Sequence, residues 1–429
     1  MSKKDFEEKN WHRLDNTAKI FPIITSKKSS NVFRVCVALN SIILEDKLQL
    51  ALDKTLPWFK VFRVKLKKGF FWFYFETNNK QAKIHEEDRY PCSYMNFRGK
   101  DKFLFKVTYY KKRINLEVFH SLSDASGAID FLKALTYNYI KLVKSVDKDV
   151  LDELIPDIDC TLDVEDSYIK NYKKTNINIK ENKKAYTIKD KKLPLFFISA
   201  ISAHIDTDEL LALCHAKEVT ITEYVTAVLI YSIYSEYQSH TKSKKPIKIF
   251  IPVNLRNYFD STTTMNFFSN ISVNVDCFKE NYSFDEILKI VKNEFKSNLT
   301  KENLSKKIAN NVSTEKNIFI RLAPLFIKTL GVKIAYMTVK HDHTSTISNI
   351  GKIDIEDEFK NDIDYFSLVL SPSVEEPIKC SICTCGKNLV FTFSSILEST
   401  YVERAFIRKL ANDNISINVE SNGLYNEEM

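Results

Sequence analysis

The chain of 429 residues is 44% hydrophobic and 12% aromatic, which is enough apolar material for two domains or one large bilobal unit. Its 63 basic and 55 acidic residues leave a net charge of +8, and they are interspersed along most of the chain. Nucleic-acid binders concentrate Lys and Arg on one face or tail, so we expect no nucleic acid partner, whereas a mildly basic pocket for an anionic small molecule stays compatible with this composition.

Residues 1–143 predict a lobe of strands and helices. The segment at its start is charged throughout, unlike a secretory signal. Apolar runs and alternating patterns predict strands over 32–39, 60–66, 70–76, 103–110 and 114–120. A helical pattern covers 44–56, and a second helix carries apolar residues from Ile129 to Ile140.

One histidine stands at the end of the last of these strands. In RINLEVFHSLSDASG, residues 113–127, the alternating pattern stops at His120, four residues before Asp124. Small residues after the aspartate let the chain turn tightly into a helix, while the carboxylate can bond loop amides or a distant cation. Such a loop holds an imidazole in one pose, and an imidazole with a pKa near ~6.5 can take a proton from a hydroxyl group. A structural histidine with satisfied hydrogen bonds remains the alternative from spacing alone.

Residues 144–194 predict a surface crossover to a second lobe over 195–429. An acidic stretch gives way there to a run rich in Lys and Asn, and neither can form a packed face. Within the second lobe, Thr220 and Glu223 have capping-box spacing before a long apolar helix. Further patterns predict strands over 248–254, 271–276, 344–351 and 367–371, a strand pair turning at Gly386, and a final helix over 401–411.

The most apolar segment, IFIRLAPLFIKTLGVKIAYM, covers residues 318–337. Arg321, Lys328, Lys333 and Pro324 interrupt it, and no stretch of the chain reaches the ~18 uninterrupted apolar residues of a membrane span. The pattern favours a core helix whose charged groups reach out to solvent, and it leaves peripheral contact with a membrane surface as the alternative. We therefore expect a cytoplasmic protein.

Eight cysteines in a large chain without secretory features predict reduced thiols. Only Cys380, Cys383 and Cys385 cluster, and they lack a fourth zinc ligand. His341 and His343 lie in a polar turn without a second pair of ligands. We expect no bound metal.

The seven glycines are too far apart to form a phosphate-binding loop, which argues against kinases, P-loop NTPases and Rossmann dehydrogenases. The GxSxG elbow of α/β-hydrolases is absent too. Ser121, Ser123 and Ser126 are therefore poor candidates for a nucleophile.

The stretch FHSLSDASGAIDFL resembles the HxxxDG motif of the chloramphenicol-acetyltransferase-like superfamily, which includes condensation domains, wax ester synthases and alcohol acetyltransferases. Within it the chain is most similar to the bacterial alcohol acetyltransferase family. Three further stretches carry that similarity, in the expected order and over nearly the whole chain: WHRLDNTAKIFP, IPVNLRNYFDSTTTMNFFSN, and STISNIG followed by FTFSSILEST.

The resemblance implies an α/β fold of two similar lobes, each a mixed sheet with helices, with a tunnel between them. It implies that His120 is a general base that removes a proton from a small alcohol or amine as this acceptor attacks an acyl thioester directly. The donor is then acyl-CoA as a co-substrate or an acyl carrier protein, with no bound cofactor. A monomer is expected.

The same resemblance implies supporting residues. Asp124 pairs with Arg256 across the lobes, and Gly127 permits the tight loop. Thr346 or Ser348 donates a hydrogen bond to the oxyanion, and Asn349 shapes the following turn. An edge strand with its hydroxyls facing water is the alternative for 344–351.

The sequence departs from the family pattern at two positions of the motif and lacks a third feature. Ala125 replaces the usual glycine, and Phe119 stands where condensation domains often carry a second histidine, which argues against peptide-bond formation. The DFGWG motif is missing, which puts the donor-side loop in doubt. The alternatives are a non-catalytic module of the same fold that docks an acyl carrier or lipid, and a thioesterase-like hydrolase.

Overall fold

The computed structural model describes residues 11–97, 99, 102–144, 166–175, 184–241, 243–276 and 281–424. The helices among these are α1 (Phe21–Ile24), α2 (Glu45–Thr55), α3 (Ala125–Lys144), α4 (Ser167–Lys170), α5 (Thr207–Ala216), α6 (Ile221–Ile233), α7 (Phe284–Asn298), α8 (Lys301–Lys316), α9 (Ile318–Leu322), α10 (Leu325–Val339) and α11 (Tyr401–Asn412).

The strands run from β1 to β15. They are β1 (Trp11–Arg13), β2 (Val32–Leu39), β3 (Val64–Lys68), β4 (Phe73–Thr77), β5 (Ile84–Glu86), β6 (Phe105–Tyr110), β7 (Arg113–Phe119), β8 (Ser199–Asp206), β9 (Ile247–Asn254), β10 (Phe268–Val275), β11 (Ser345–Lys352), β12 (Ile363–Val369), β13 (Ile378–Cys385), β14 (Asn388–Ser395) and β15 (Ile417–Ser421).

Two mixed sheets form the centres of the two lobes. One has the order β12-β2-β7-β6-β5, with β5 parallel to β6. The other has the order β10-β9-β11-β13-β14-β8-β15, with β11 parallel to both its neighbours. A small antiparallel sheet, β1-β4-β3, adjoins them. The predicted α/β architecture with mixed sheets is confirmed.

Local sequence patterns predicted several elements correctly. The capping box at the start of α6 is formed in both directions, since Glu223 N donates to Thr220 Oγ1 (3.2 Å) and Thr220 N donates to Glu223 Oε2 (2.7 Å). The strand pair around Gly386 is present as β13 and β14. The strand predicted over 70–76 begins only at Phe73, because Gly69 N donates to Trp72 O (3.0 Å) and closes a turn there.

The chain returns from the second lobe into the first sheet. Strand β12 pairs antiparallel with β2, so residues 363–369 lie beside the N-terminal strands although they fall within the predicted C-terminal segment. The boundaries 1–143, 144–194 and 195–429 stay a prediction. Much of the predicted crossover lies outside the described residues.

The prediction of a core helix over 318–337 was wrong. Pro324 divides the segment into α9 and α10, and only Leu325 and Lys328 of the two helices are buried. Lys328 faces the body of the protein, because its Nζ donates to the carbonyl oxygens of Phe71 (3.0 Å) and Arg321 (3.1 Å). The apolar side chains consequently face outward. None of the helices described has the length and apolar character needed to cross a bilayer.

Candidate active site

His120 lies at the junction of strand β7 and helix α3. Its backbone N donates to Asn31 O (2.9 Å), which continues the pairing of β7 with β2 by one residue. Leu122 N then donates to Phe119 O (2.8 Å), and this turn directs the chain into α3 at Ala125. As a whole residue, His120 is partly buried.

Three phenylalanines surround the imidazole. Phe21 of α1 stacks on it with ring centroids 4.5 Å apart and an interplanar angle of 10°. Phe33 of β2 and Phe268 of β10 approach to 5.2 and 5.4 Å. This apolar burial lowers the pKa of His120 below its usual 6.5, and Lys379 acts in the same direction, while its own backbone, Asp124 and Asn266 oppose the shift. The neutral imidazole is thus the favoured form near neutral pH.

Asn266 determines which imidazole nitrogen carries the proton. Its Nδ2 donates to His120 O (3.1 Å) and to Asp15 Oδ2 (3.0 Å), which orients the amide. Its Oδ1 then lies 3.1 Å from His120 Nδ1 and accepts the proton held there. Nε2 is left unprotonated and makes no hydrogen bond to any described residue. A free Nε2 lone pair is what a general base requires.

Asp15 completes this chain of hydrogen bonds from the far end of the sequence. It is 1% exposed, and its Oδ1 accepts a hydrogen bond from Ala18 N (2.7 Å). Burial and the neighbouring Asp166 raise the pKa of Asp15 to about 7. Its protonation state therefore changes near neutrality, two hydrogen bonds away from the imidazole.

Asp124 and Arg256 form an ion pair between the two lobes. Arg256 Nη1 lies 2.8 Å from Asp124 Oδ2, and the same oxygen accepts from Phe267 N (2.9 Å). Asp124 Oδ1 accepts from Gly127 N (3.2 Å) at the start of α3. Both carboxylate oxygens are thus engaged by the loop and by the second lobe, and the carboxylate organises the loop.

Arg256 also holds the segment 263–267 against this loop. Its Nε and Nη2 donate to Thr263 O (3.0 and 2.8 Å), and Nη2 donates to Met265 O (2.6 Å). Nη1 makes a further bond to Asn254 Oδ1 (3.2 Å). Because this segment leads directly into Asn266, the arginine positions the amide that orients His120.

Gly127 allows α3 to approach the same segment. A Cβ at this position would collide with Ser123 Oγ and with the backbone carbonyl oxygen of Thr264. Ser123 Oγ donates to that carbonyl (2.7 Å), so the close approach is part of the contact between the lobes. Glycine is required here for space.

Strand β11 carries the three predicted oxyanion and turn residues. Thr346 Oγ1 donates to Glu376 Oε2 (2.9 Å), so its proton is already engaged. Ser348 is 7% exposed and lies on the same face, and its hydroxyl makes no hydrogen bond to another described residue. Asn349 Nδ2 donates to Thr222 Oγ1 (2.8 Å), and its Oδ1 accepts from Gly351 N (2.8 Å), where the backbone has φ +82°.

The cysteines singled out in the sequence do not converge. Cys380 packs in the core of the second lobe, whereas Cys383 and Cys385 point through the opposite face of β13 into the core of the first lobe. Burial raises the pKa of each thiol above its usual value. All three are structural residues of a buried strand.

No family model matches the sequence, and no curated protein matches it either. Several solved structures align with the chain. TRI101 of F. sporotrichioides, complexed with coenzyme A and T-2, aligns with a TM-score of 0.63 at 10% identity over 95% of this chain and 100% of that one. Polyketide synthase associated protein 5 of Mycobacterium tuberculosis gives 0.56 at 14% identity over 94% and 97%. The starter condensation domain of rhizomide synthetase, with C8-CoA and Leu-SNAC, gives 0.58 at 10% identity over 95% of both chains.

This chain has the chloramphenicol-acetyltransferase-like fold. The match extends over nearly its full length, so both lobes share the fold of these structures, which is the fold that the resemblance of FHSLSDASG implied. The closer assignment to the bacterial alcohol acetyltransferase family stays a prediction, as does the tunnel between the lobes.

Within this chloramphenicol-acetyltransferase-like fold, sequence reasoning missed two site residues. Asn266 and Asp15 both lie in stretches that carry the family resemblance, MNFFSN and WHRLDNTAKIFP, but their positions are 251 residues apart. No spacing rule links them. The one local signal was at Asn266, which stands between the apolar residues Met265 and Phe267, whereas Asp15 is followed by the polar residues Asn16 and Thr17.

Proposed function

We propose that this protein is an acyltransferase that transfers an acyl group from a coenzyme A thioester to an alcohol or amine, with His120 as the general base. The observation that carries the proposal is the contact of His120 Nδ1 with Asn266 Oδ1 (3.1 Å), which favours the tautomer with its proton on Nδ1 and a free lone pair on Nε2. A module that only docks a carrier or lipid has no need of a base in this state. The superfamily fold, with neighbours crystallised with coenzyme A or C8-CoA, supports a thioester donor.

In the proposed reaction, Nε2 takes the proton of the acceptor as its oxygen or nitrogen attacks the thioester carbonyl carbon. The C–O or C–N bond forms, and the carbonyl oxygen becomes an oxyanion that accepts a hydrogen bond from Ser348. When the intermediate collapses, the C–S bond breaks and the imidazolium returns its proton to the departing thiolate. The acyl group passes directly to the acceptor.

Hydrogen bonding near His120 supports direct transfer rather than an acyl-enzyme. Ser121 Oγ donates to Ala18 O (2.9 Å) and Ser123 Oγ donates to Thr264 O (2.7 Å), so neither hydroxyl is oriented toward the imidazole. A serine nucleophile needs its proton directed at the base. The acceptor is therefore the nucleophile in this scheme.

The experiment is thiol release from acetyl-CoA and longer acyl-CoAs, with and without a panel of alcohols and amines, for the wild type and His120→Ala. We expect acceptor-dependent release that falls by ~10²- to 10⁴-fold in the variant while its thermal unfolding is unchanged. Release without any acceptor would show a thioesterase. If the wild type releases no thiol, or if His120→Ala releases it at the same rate, the scheme is wrong for these donors. The next donor to test is then an acylated carrier protein, which separates acyl transfer from the docking alternative.

A further inference from the structure

Helices α9 and α10 present a continuous apolar face to solvent. It consists of Phe319, Leu322, Phe326, Leu330, Ile334 and Met337, which are 55 to 82% exposed. Within α10, the spacing of three and four residues places Phe326, Leu330, Ile334 and Met337 along one side, and Phe319 and Leu322 share a side of α9 by the same rule. We call these six residues the apolar face.

The orientation of α10 is the reverse of that of an ordinary surface helix. Lys328 is 6% exposed, and its ammonium lies 3.9 Å from the centre of the Trp72 ring while it donates to two backbone carbonyls. Burial lowers the pKa of this lysine. Lys328 and the buried Leu325 thus attach the helix to the protein, and the residues of the apolar face stay exposed in the described part of the chain. Exposed apolar patches of this size mark interaction sites.

The charges around the apolar face indicate the partner. Residues 318–339 contain three basic residues and no acidic one. Arg321 and Lys333 are exposed on α9 and α10, and Lys68 is exposed on the adjoining hairpin. Phe70 and Phe71, at the tip of that hairpin, are 69 and 45% exposed. Leu325 N donates to Phe70 O (2.8 Å), which fixes this tip beside the start of α10.

We propose that the apolar face, together with Phe70 and Phe71, docks on the surface of an anionic membrane. A helix that lies in the membrane interface inserts its apolar side chains below the headgroups while its basic residues contact anionic lipid, and the residues described here have both properties. An acidic protein partner would suit the charges but would leave six large apolar side chains to be covered by a polar surface. The occupant is therefore a lipid surface.

A cavity lies between α10, α1 and the β3–β4 hairpin. The cavity has a volume of about 410 Å³ and is lined by Pro22 and Ile23 of α1 and by Thr329 and Lys333 of α10, among others. The residue before Pro22 is Phe21, which stacks on the imidazole. A docked membrane would lie beside the mouth of this cavity. The docking itself does not depend on the proposed acyl transfer, because it can be measured without any reaction.

The test is cosedimentation of the full chain with vesicles of phosphatidylcholine alone and of phosphatidylcholine with phosphatidylglycerol. The wild type is expected to sediment with the anionic vesicles, less so at high salt. Phe319→Ser combined with Phe326→Ser should weaken binding on the order of 100-fold, since each removes a large inserted side chain. Arg321→Glu combined with Lys333→Glu should abolish the preference for anionic lipid.

Ile42→Ser is the matched control. Ile42 is 69% exposed but follows the far end of β2, and that strand end lies about 23 Å from the end that pairs beside His120. Its vesicle binding should equal that of the wild type. A wild type that ignores both kinds of vesicle, or binds them equally, overturns the proposal, as does binding that survives both double variants. A dimer in solution that Phe319→Ser with Phe326→Ser converts to a monomer would assign the face to a second copy of the chain instead.

Discussion

Asn266 contacts His120 at two points, donating from Nδ2 to its carbonyl oxygen (3.1 Å) and accepting at Oδ1 from its Nδ1 (3.1 Å). The two bonds hold the backbone and the ring of the histidine together, so the imidazole cannot rotate without breaking one of them. They also join a residue of the first lobe to the segment that Arg256 positions in the second. The state of the proposed base is thus set by how the lobes dock.

Replacing Asn266 by leucine should lower kcat by roughly 10- to 100-fold, the range found when a hydrogen bond that orients a metal-bound histidine is lost. Asn266 raises the pKa of His120, so its loss should also move the acid limb of the pH–rate profile to lower pH. Steady-state kinetics across pH measures both effects. An unchanged profile in a variant that unfolds like the wild type would remove Asn266 from the site.

The pH dependence of the wild type follows from the lowered pKa of His120. A general base works only when unprotonated, and burial keeps this imidazole neutral at pH values below its usual 6.5. The acid limb of kcat/KM should therefore have its midpoint below pH 6.5, and His120→Ala should lack this limb. A midpoint above 6.5 would contradict the assignment.

Breaking the Asp124–Arg256 pair from one side should destabilise the fold strongly. Asp124→Ala leaves the Arg256 guanidinium without its counter-charge and the Phe267 amide without its acceptor, and we expect a loss of roughly 3 to 5 kcal/mol in the free energy of unfolding. Denaturant unfolding of Asp124→Ala, Arg256→Ala and the double variant forms a double-mutant cycle. The double variant should lose less free energy of unfolding than the sum of the losses in the two single variants. Strictly additive losses would mean that the two residues act independently.

Two glycine substitutions should have opposite effects. Gly127→Ala forces a methyl group against the Thr264 carbonyl oxygen, so we expect a loss of about 1 to 3 kcal/mol and lower activity as the 263–267 segment moves. Gly331→Ala, in the open middle of α10, meets no atom within 4 Å and should stabilise by about 0.5 to 1 kcal/mol. Thermal and denaturant unfolding of both variants measures the contrast. A harmless Gly127→Ala would contradict the close approach.

A buried glutamate should make stability depend on pH. Glu403 of α11 is 1% exposed, and neither of its carboxylate oxygens accepts a hydrogen bond from another described residue. Burial raises the pKa of this carboxyl group from 4.5 to about 7. The folded state holds this proton more tightly than the unfolded chain, so this group's contribution is present below about pH 4.5 and is lost as the pH rises toward 7. The loss corresponds to roughly 3 kcal/mol. Between pH 5 and 8, the free energy of unfolding of Glu403→Gln should decrease less than that of the wild type. Denaturant titration measures both, and an equal decrease in the two proteins would show that other groups cause it.

Local features of the sequence determined much of the fold. The end of β7 at His120, the capping box at Thr220 and the strand pair around Gly386 all depend on residues within a few positions of one another, where hydrogen bonding and side-chain alternation act directly. The fold of two lobes was anticipated through the family resemblance of the motif around His120 and of three further stretches. The pairing of Arg256 with Asp124 was anticipated only through the family resemblance.

Only the tertiary structure decided the rest, since it depends on how remote segments dock. Asn266 and Asp15 meet across 251 residues, and no local pattern predicts that contact. The entry of β12 into the first sheet is equally non-local. The helix over 325–339 shows most directly what the sequence could not predict. Its pattern reveals an apolar stripe but not which side of the helix faces the protein. The hydrogen bonds of Lys328 to two carbonyl groups place that stripe toward solvent.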